Sequence, residues 1–253
     1  MLLLPQKLLD RAAAFGDFIT FAVRSTWSGV RHPIKPMELI EFFDSLGVKS
    51  IAVTLFAGFF AGLSITMFLE GELNDYGAKD TLGRVIGVTA IRELGPLVVA
   101  LMLAGRAGAA IAAELGSMKV ANQVDAIIAL GQDHERKLAA PRIWALTLMA
   151  PLLSVLTIIA TLVGGWAICT VGSGMYWYQA EMSMYFRHIS SGLLKPVFFG
   201  WLIGVVSSYY GLRVEGGVRG VGEAVSSTVV WCCIMVFVSN AVMGSLLIMW
   251  TGW

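Results

Sequence analysis

Long apolar runs separated by short polar segments give this sequence its pattern. Five runs come close to the roughly 20 residues that a helix needs to cross about 30 Å of hydrocarbon. They cover residues 51–69, 85–105, 143–168, 196–212 and 224–250. In residues 1–50, basic side chains alternate with leucine and aromatic side chains, which is typical of an amphipathic helix lying in the membrane surface. The pattern predicts an all-α integral membrane protein, with an N-terminal interfacial helical region at 1–50 and a five-span domain at 51–253.

The composition agrees with a membrane protein. Hydrophobic residues make up 57% and charged residues 14% of the chain, and the mean hydropathy is +0.76. Soluble domains carry about 25% charged residues. The net charge of +1 argues against nucleic acid as a partner.

The distribution of basic residues predicts the orientation in the membrane. The N-terminal region, the 106–142 segment and the 213–223 loop hold 6, 5 and 2 Lys or Arg residues, against 2 in each of the other two loops. Basic residues collect on the cytoplasmic side. With five spans, this places the N-terminus in the cytoplasm and the C-terminus outside.

Several enzyme classes lack their motifs in this sequence. There is no GxxxxGK[ST] motif for the phosphates of ATP and no HExxH motif for zinc. The histidines lie outside the predicted spans, which argues against a hydrolase within the membrane, and the cysteines lie in apolar runs without CxxC spacing. We therefore expect no catalytic residue, metal site or cofactor in this chain.

An adjacent Arg92-Glu93 pair interrupts the second predicted span. Charged groups within a bilayer normally face a partner or a watery cavity, because exposure to hydrocarbon is costly. Neighbouring residues on a helix point about 100° apart and so make a poor ion pair with each other. Pro96 has no amide hydrogen and leaves the carbonyl of Arg92 without its helical donor. The pair is therefore either a polar site at a cavity or a pair near the interface whose side chains reach for water.

Small residues recur at a spacing of four in two places. Such faces let helix backbones approach closely, either within one chain or between two copies. The residues concerned are Gly58, Gly62, Ala104, Gly108, Ala112 and Gly116.

A short amphipathic helix is predicted at about 119–130. Its apolar residues are Val120, Val124, Ile127 and Ile128, and its polar residues include Lys119, Asn122, Gln123 and Asp125. The helix either rests on the base of the protein itself or docks onto a cytoplasmic partner, and its composition alone does not choose between them.

The segment RELGPLVVALMLAGRAGAAIAAELGSMKVANQVDAIIALG, followed by Pro141 and Arg142, closely resembles the signature of the MlaE/YrbE permeases. These are the membrane subunits of ABC transporters that work with MCE proteins. A second match is YYGLRVEGGVRGVGEAVSSTVV at 209–230, and the likeness extends over about 51–247.

The resemblance implies a non-catalytic homodimeric permease in a bacterial inner membrane, with its C-terminus in the periplasm. It implies two copies of a cytoplasmic ATPase that binds the ATP, a hexameric periplasmic MCE ring and, in many systems, a STAS-domain protein. The substrates that it implies are lipids: glycerophospholipids in many Gram-negative systems, where they serve outer-membrane lipid asymmetry, and sterols or fatty acids in some actinobacterial ones.

The resemblance also assigns residues. It puts Arg92, Glu93 and Leu94 at a lipid cavity between two protomers, with Lys195 pairing with a headgroup or with Glu93. It makes 119–131 the helix that couples the permease to the ATPase, through Lys119, Asn122, Gln123, Val124 and Asp125. The chain departs from the family pattern at Asn122 and Asn240, where acids are frequent, and at Pro196, where serine is frequent.

Two other readings of Arg92 and Glu93 stay open. In a secondary transporter or channel, the pair would serve an ion or a proton without an ATPase. In a purely structural subunit, changes at the two positions would be silent.

Overall fold

The computed structural model describes residues 6–31 and 35–251, and these residues are almost entirely helical. The helices are α1 (Gln6–Arg31), α2 (Pro36–Phe42), α3 (Ile51–Asp75), α4 (Leu82–Thr89), α5 (Gly95–Leu103), α6 (Ala109–Val120), α7 (Gln123–Ala129), α8 (Ala140–Ile168), α9 (Ser173–Glu181), α10 (Phe186–Leu212) and α11 (Gly217–Thr251). Wider π-helical turns occupy Phe43–Gly47, Ala90–Leu94, Ala104–Gly108 and Glu135–Ala139. Residues 1–5, 32–34 and 252–253 lie outside the described residues.

Within the described residues, five helical stretches are long and apolar enough to cross a membrane. They run over Pro36–Asp75, Lys79–Val120, Glu135–Ile168, His188–Leu212 and Gly217–Leu247. The prediction of an all-α membrane protein with five spans is confirmed.

The second span is longer than the predicted 85–105, because α4, α5 and α6 follow one another through two π-helical turns up to Val120. Arg106, assigned above to a polar loop, lies inside this helical stretch. Arg142, at the other end of that supposed loop, is buried within α8. The prediction from charge placed both residues in a loop and was wrong, because each guanidinium group has hydrogen-bond acceptors inside the protein.

Close contact between α3 and α8 depends on Gly58 and Gly62. A Cβ atom at Gly62 would overlap the carbonyl oxygen of Thr161, and one at Gly58 would lie 2.9 Å from the carbonyl oxygen of Thr157. Real Cβ atoms do not approach that closely, so the two backbones can meet only at glycine.

The second set of small residues also packs within the chain. Ala104 and Ala112 are fully buried. A Cβ atom at Gly108 would lie 3.3 Å from Ile203 on α10, and one at Gly116 would lie 2.8 Å from Val214. These contacts hold the second span against α10 and the start of α11, so this face is used inside the protomer.

Helix α1 packs on the bundle with one side only. Asp17 pairs with Arg213 at 2.8 Å, and the indole nitrogen of Trp201 donates to the hydroxyl of Thr26 at 2.9 Å. The opposite side exposes a stripe of large apolar residues: Phe15, Ile19, Val23, Trp27 and Val30. That arrangement suits a helix that lies along a membrane surface.

Candidate functional site

The π-helical turn Ala90–Leu94 widens the helix of the second span just before Pro96. A residue four positions after Arg92 would normally donate its amide hydrogen to the Arg92 carbonyl, and proline has none. The Nζ of Lys195 donates to this carbonyl at 3.0 Å. A sequence feature that breaks the regular helix thus creates an acceptor for a cation from another span.

Lys195 also forms an ion pair with the carboxylate of Glu93, at 2.7 Å. The lysine side chain is 2% exposed, whereas that of Glu93 is 45% exposed. A buried ammonium group needs acceptors, and here it has a carboxylate and a carbonyl. The sequence analysis left open whether Lys195 pairs with a headgroup or with Glu93, and the structure shows the pair with Glu93.

Two small features bring Lys195 to the turn. Gly192 on α10 faces Ile91 so closely that a Cβ atom would lie 2.6 Å from the Ile91 carbonyl oxygen. Pro196 lies inside α10, where it removes the amide hydrogen that the carbonyl of Gly192 would accept. Despite this departure from the family pattern, the lysine reaches Glu93.

Asn240 on α11 completes the site from a third span. Its amide nitrogen donates to the second carboxylate oxygen of Glu93 at 3.0 Å. Its own amide oxygen is buried and has no hydrogen-bond partner among the described residues. Asn240 was not among the predicted cavity residues, and the departure from a frequent Asp was the signal that could have included it.

Arg92 and Leu94 flank Glu93 and are both half-buried. The main-chain carbonyl of Arg92, and not its side chain, holds Lys195. Together the three spans present a half-exposed carboxylate, held by a buried ammonium group and an amide, at the edge of an apolar bundle.

The second π-helical turn of this span, Ala104–Gly108, carries Arg106. Its guanidinium group donates to the carbonyl oxygens of Ser45 and Leu46, both at 3.3 Å, and to the hydroxyl of Ser50 at 2.5 Å. The π-helical turn Phe43–Gly47 and the short 3₁₀ turn after it disturb the regular pairing of these carbonyls. Arg106 therefore fixes the start of the first span to the second.

The predicted amphipathic helix at 119–130 is shorter in the structure. Asn122 takes a left-handed conformation with φ of 56°, so α6 ends at Val120 and α7 runs from Gln123 to Ala129. Asparagine tolerates this conformation better than most residues, and it breaks the helix there. Lys119, at the end of α6, reaches across the bend and pairs with Asp125 at 2.7 Å.

Helix α7 is half covered by the chain. Val124 is 2% exposed and Ile127 packs on the main core, whereas Ile128 and Leu130 are 48% and 76% exposed. Asn122, Gln123 and Asp125 are exposed as well. The helix rests on the base of the protein with one side and leaves a mixed apolar and polar surface on the other.

Arg142 ties together the two ends of the segment that contains α7. Its guanidinium group bonds to Glu114 on α6 at 2.6 Å and to the carbonyl of Leu138 at 2.5 Å. It also lies 4.5 Å from the ring centre of Phe42 on α2. Sequence reasoning noted Arg142 only as part of a motif and missed this role. Of its partners, only Leu138 is close in sequence, whereas Glu114 and Phe42 belong to other helices.

These features define a class: a multi-pass membrane protein with a polar site between spans and a surface helix at one end of the bundle. The model of the family described as Permease MlaE matches residues 39–246. The chain therefore belongs to the MlaE permease family.

Curated relatives are similar to this chain over most of their length. The intermembrane phospholipid transport system permease protein MlaE of Haemophilus influenzae is 32% identical over 214 residues, covering 81% of this chain and 82% of that protein. A probable ABC transporter permease protein of Synechocystis is 32% identical over 223 residues, covering 87% and 85%. The chloroplastic protein TRIGALACTOSYLDIACYLGLYCEROL 1 of Arabidopsis thaliana is 32% identical over 213 residues, covering 81% of this chain and 60% of that protein.

Proposed function

We propose that this chain is the permease subunit of an ATP-driven transporter that moves lipids, and glycerophospholipids in particular, between a bacterial inner membrane and a periplasmic MCE protein. The observation that carries the proposal is the Glu93 carboxylate, held by the buried Lys195 yet 45% exposed at an apolar bundle. A lipid headgroup needs charged and hydrogen-bonding groups, while its acyl chains need an apolar path. The name of the Haemophilus relative, a phospholipid transport permease, supports the same substrate class.

Two copies of the chain would enclose the lipid site. Only 11% of the apolar window of α11 is buried, against 59% for the fourth span. The exposed side of α11 carries large apolar residues. The same helix carries Asn240, which bonds to Glu93 on the second span. A partner protomer facing α11 would therefore cover the half-exposed carboxylate and close a cavity around it.

The proposed complex has two copies of a cytoplasmic ATPase, an MCE hexamer on the periplasmic side and, in some systems, a STAS-domain protein. ATP would bind to the ATPase, because this chain has no P-loop. The exposed face of α7, with Ile128 and Leu130, would dock onto the ATPase. The N-terminus would lie in the cytoplasm and the C-terminus in the periplasm, as the basic residues favour.

The test is lipid transfer by the complex reconstituted in vesicles, with Glu93→Gln and Arg92→Ala variants. We expect transfer to fall strongly in E93Q, because a neutral amide cannot form an ion pair with the buried Lys195. Glu72→Gln serves as a control at an exposed acid outside the site. Wild-type rates in both site variants would contradict the proposed site. Transport of an ion by this chain alone, under an ion gradient and without the ATPase, would favour a secondary transporter instead.

A further inference from the structure

A polar cleft lies beside α7, past the C-terminal end of the second span and away from Glu93. Two adjoining cavities with volumes of about 610 and 410 Å³ share Ser28, Asp133 and Arg136 in their walls. One wall is the C-terminal half of α1, and the other is the 131–137 segment that follows α7. The two cavities therefore form one continuous cleft between these elements.

Basic side chains outnumber acidic ones in this cleft. The basic residues are Arg24, Arg31, Lys35, Arg136 and Lys137, and the acidic residues are Glu38, Asp133 and Glu135. The carboxylate of Asp133 accepts hydrogen bonds from the backbone amides of Glu135 and Arg136, at 3.0 and 3.3 Å. The cleft therefore has an excess of positive charge.

The cleft has three guanidinium groups, and none of them forms an ion pair among the described residues, although Glu135 interacts with Arg24 over a longer distance. Lys35 is 4.0 Å from Glu38, and Lys137 donates to the amide oxygen of Gln132 at 2.9 Å. Among the described residues, no acid lies within ion-pair distance of Arg24, Arg31 or Arg136. Guanidinium groups bind phosphate oxygens in a planar, often bidentate geometry. The cleft is therefore suited to a phosphate group.

The cleft also lies at the edge of an apolar surface. Trp27 lines it and is 64% exposed, on the same stripe of α1 as Val23 and Val30. Tryptophan is enriched at the level of lipid headgroups, where its ring contacts both apolar and polar surroundings. A ligand in the cleft would have its phosphate among arginines and any acyl chains along α1.

We propose that this cleft binds the phosphate-bearing headgroup of an anionic membrane lipid, as a site separate from the one at Glu93. Basic pockets on the cytoplasmic side of membrane proteins bind such headgroups. The assignment rests on the orientation given under Proposed function but not on the role of Glu93. A lipid held there would contact the segment directly after α7. It would therefore stabilise the position of the surface on which the ATPase is proposed to dock.

The experiment measures lipids retained by the purified chain after incorporation into bilayers of phosphatidylcholine alone or of equal parts phosphatidylcholine and phosphatidylglycerol. Native mass spectrometry counts each lipid bound to wild type, to an Arg31→Gln/Arg136→Gln variant and to the matched Arg31→Lys/Arg136→Lys variant. An Arg84→Gln/Arg219→Gln variant is the control, because it removes the same charge from exposed sites outside the cleft. Size-exclusion chromatography checks that each variant is folded.

We expect wild type to retain phosphatidylglycerol in preference to phosphatidylcholine, and the glutamine variant to lose that preference by about fivefold for each charge removed. The lysine variant and the control should keep most of it. Equal retention in wild type and the glutamine variant would overturn the proposal. Equal retention of phosphatidylglycerol and phosphatidylcholine by wild type would also overturn it, since the cleft would then bind a soluble anion or a protein instead of an anionic lipid. Transfer by an E93Q complex is measured separately, so failure of one site does not imply failure of the other.

Discussion

The two π-helical turns of the second span, Ala90–Leu94 and Ala104–Gly108, each carry an arginine, yet their charged groups have different surroundings. In the Ala90–Leu94 turn, a carboxylate and a carbonyl are held by Lys195 from another span, and the carboxylate stays half-exposed. In the Ala104–Gly108 turn, Arg106 is surrounded by acceptors from the chain itself. The first turn leaves its carboxylate half-exposed, whereas the second uses its charge to fix one helix to another.

The largest effect is expected from Lys195→Met in the first turn. The change removes the cation from Glu93 and the donor from the Arg92 carbonyl. Breaking a buried ion pair costs about 3 kcal/mol, which corresponds to about a hundredfold in rate if the pair acts in transport. Lipid transfer by the reconstituted complex measures the loss. Lys79→Met, which breaks a pair with Glu70 outside the site, should leave transfer close to wild type.

A smaller effect, and on stability only, is expected from Arg106→Gln in the second turn. The shorter amide cannot reach the acceptors at Ser45, Leu46 and Ser50, and leaving buried acceptors without donors costs about 1–3 kcal/mol. Thermal unfolding in detergent should show a lower Tm, while transfer per folded complex is retained. Arg84→Gln is the control at an exposed arginine. A transfer defect in R106Q with an unchanged Tm would contradict the distinction between the turns.

Asn240→Leu should have a moderate effect on transfer. The leucine keeps the size of the side chain but removes the hydrogen bond to Glu93, and a hydrogen bond to a charged group contributes about 1.5–3 kcal/mol at most. We expect transfer to fall about tenfold. Ser239→Ala is the neighbouring control, since among the described residues its hydroxyl donates to the Val236 carbonyl and not to the site. An N240L variant as active as S239A would remove Asn240 from the site.

Among the changes at the first turn, Pro96→Ala should have the smallest effect, about twofold on transfer. An alanine at 96 gains an amide hydrogen that competes with Lys195 for the Arg92 carbonyl and favours a regular helix. Hydrogen exchange of the new amide would show whether it is protected by that carbonyl. Pro151→Ala in α8 is the matched control for a proline inside a span. Complete loss of transfer in P96A alone would mean that the turn itself, and not the charges, is critical.

Much of the fold could be predicted from the sequence. Long apolar runs define five spans, and glycine at spacing four marks a close-packing face on α3. The spacing does not indicate that α8 is the helix packed there. The end of the second span could not be read in this way, because Arg106 resembles a loop charge until its acceptors at Ser45 and Leu46 are known. A hydropathy value shows that a residue is charged, but it does not show whether the fold provides hydrogen-bond acceptors for that charge.

The candidate site could be predicted in part. The Arg92-Glu93 pair and Pro96 mark the turn locally, and resemblance added Lys195. Asn240 lies 147 positions from Glu93 in the sequence, so no local pattern joins the two. The bend at Asn122 was missed because the apolar spacing of Val120 and Val124 continues across it, while the left-handed conformation of a single residue breaks the helix.

The central claim is that Glu93 and Lys195 act as one polar unit in lipid transfer. A double-mutant cycle tests it most directly: transfer rates are measured for Glu93→Gln, Lys195→Met and the two changes together. Residues that act through their mutual contact give non-additive effects. The account predicts that the double variant is no slower than the worse single variant. A double variant whose loss is the product of the two single losses would show that the residues act independently and would contradict the account.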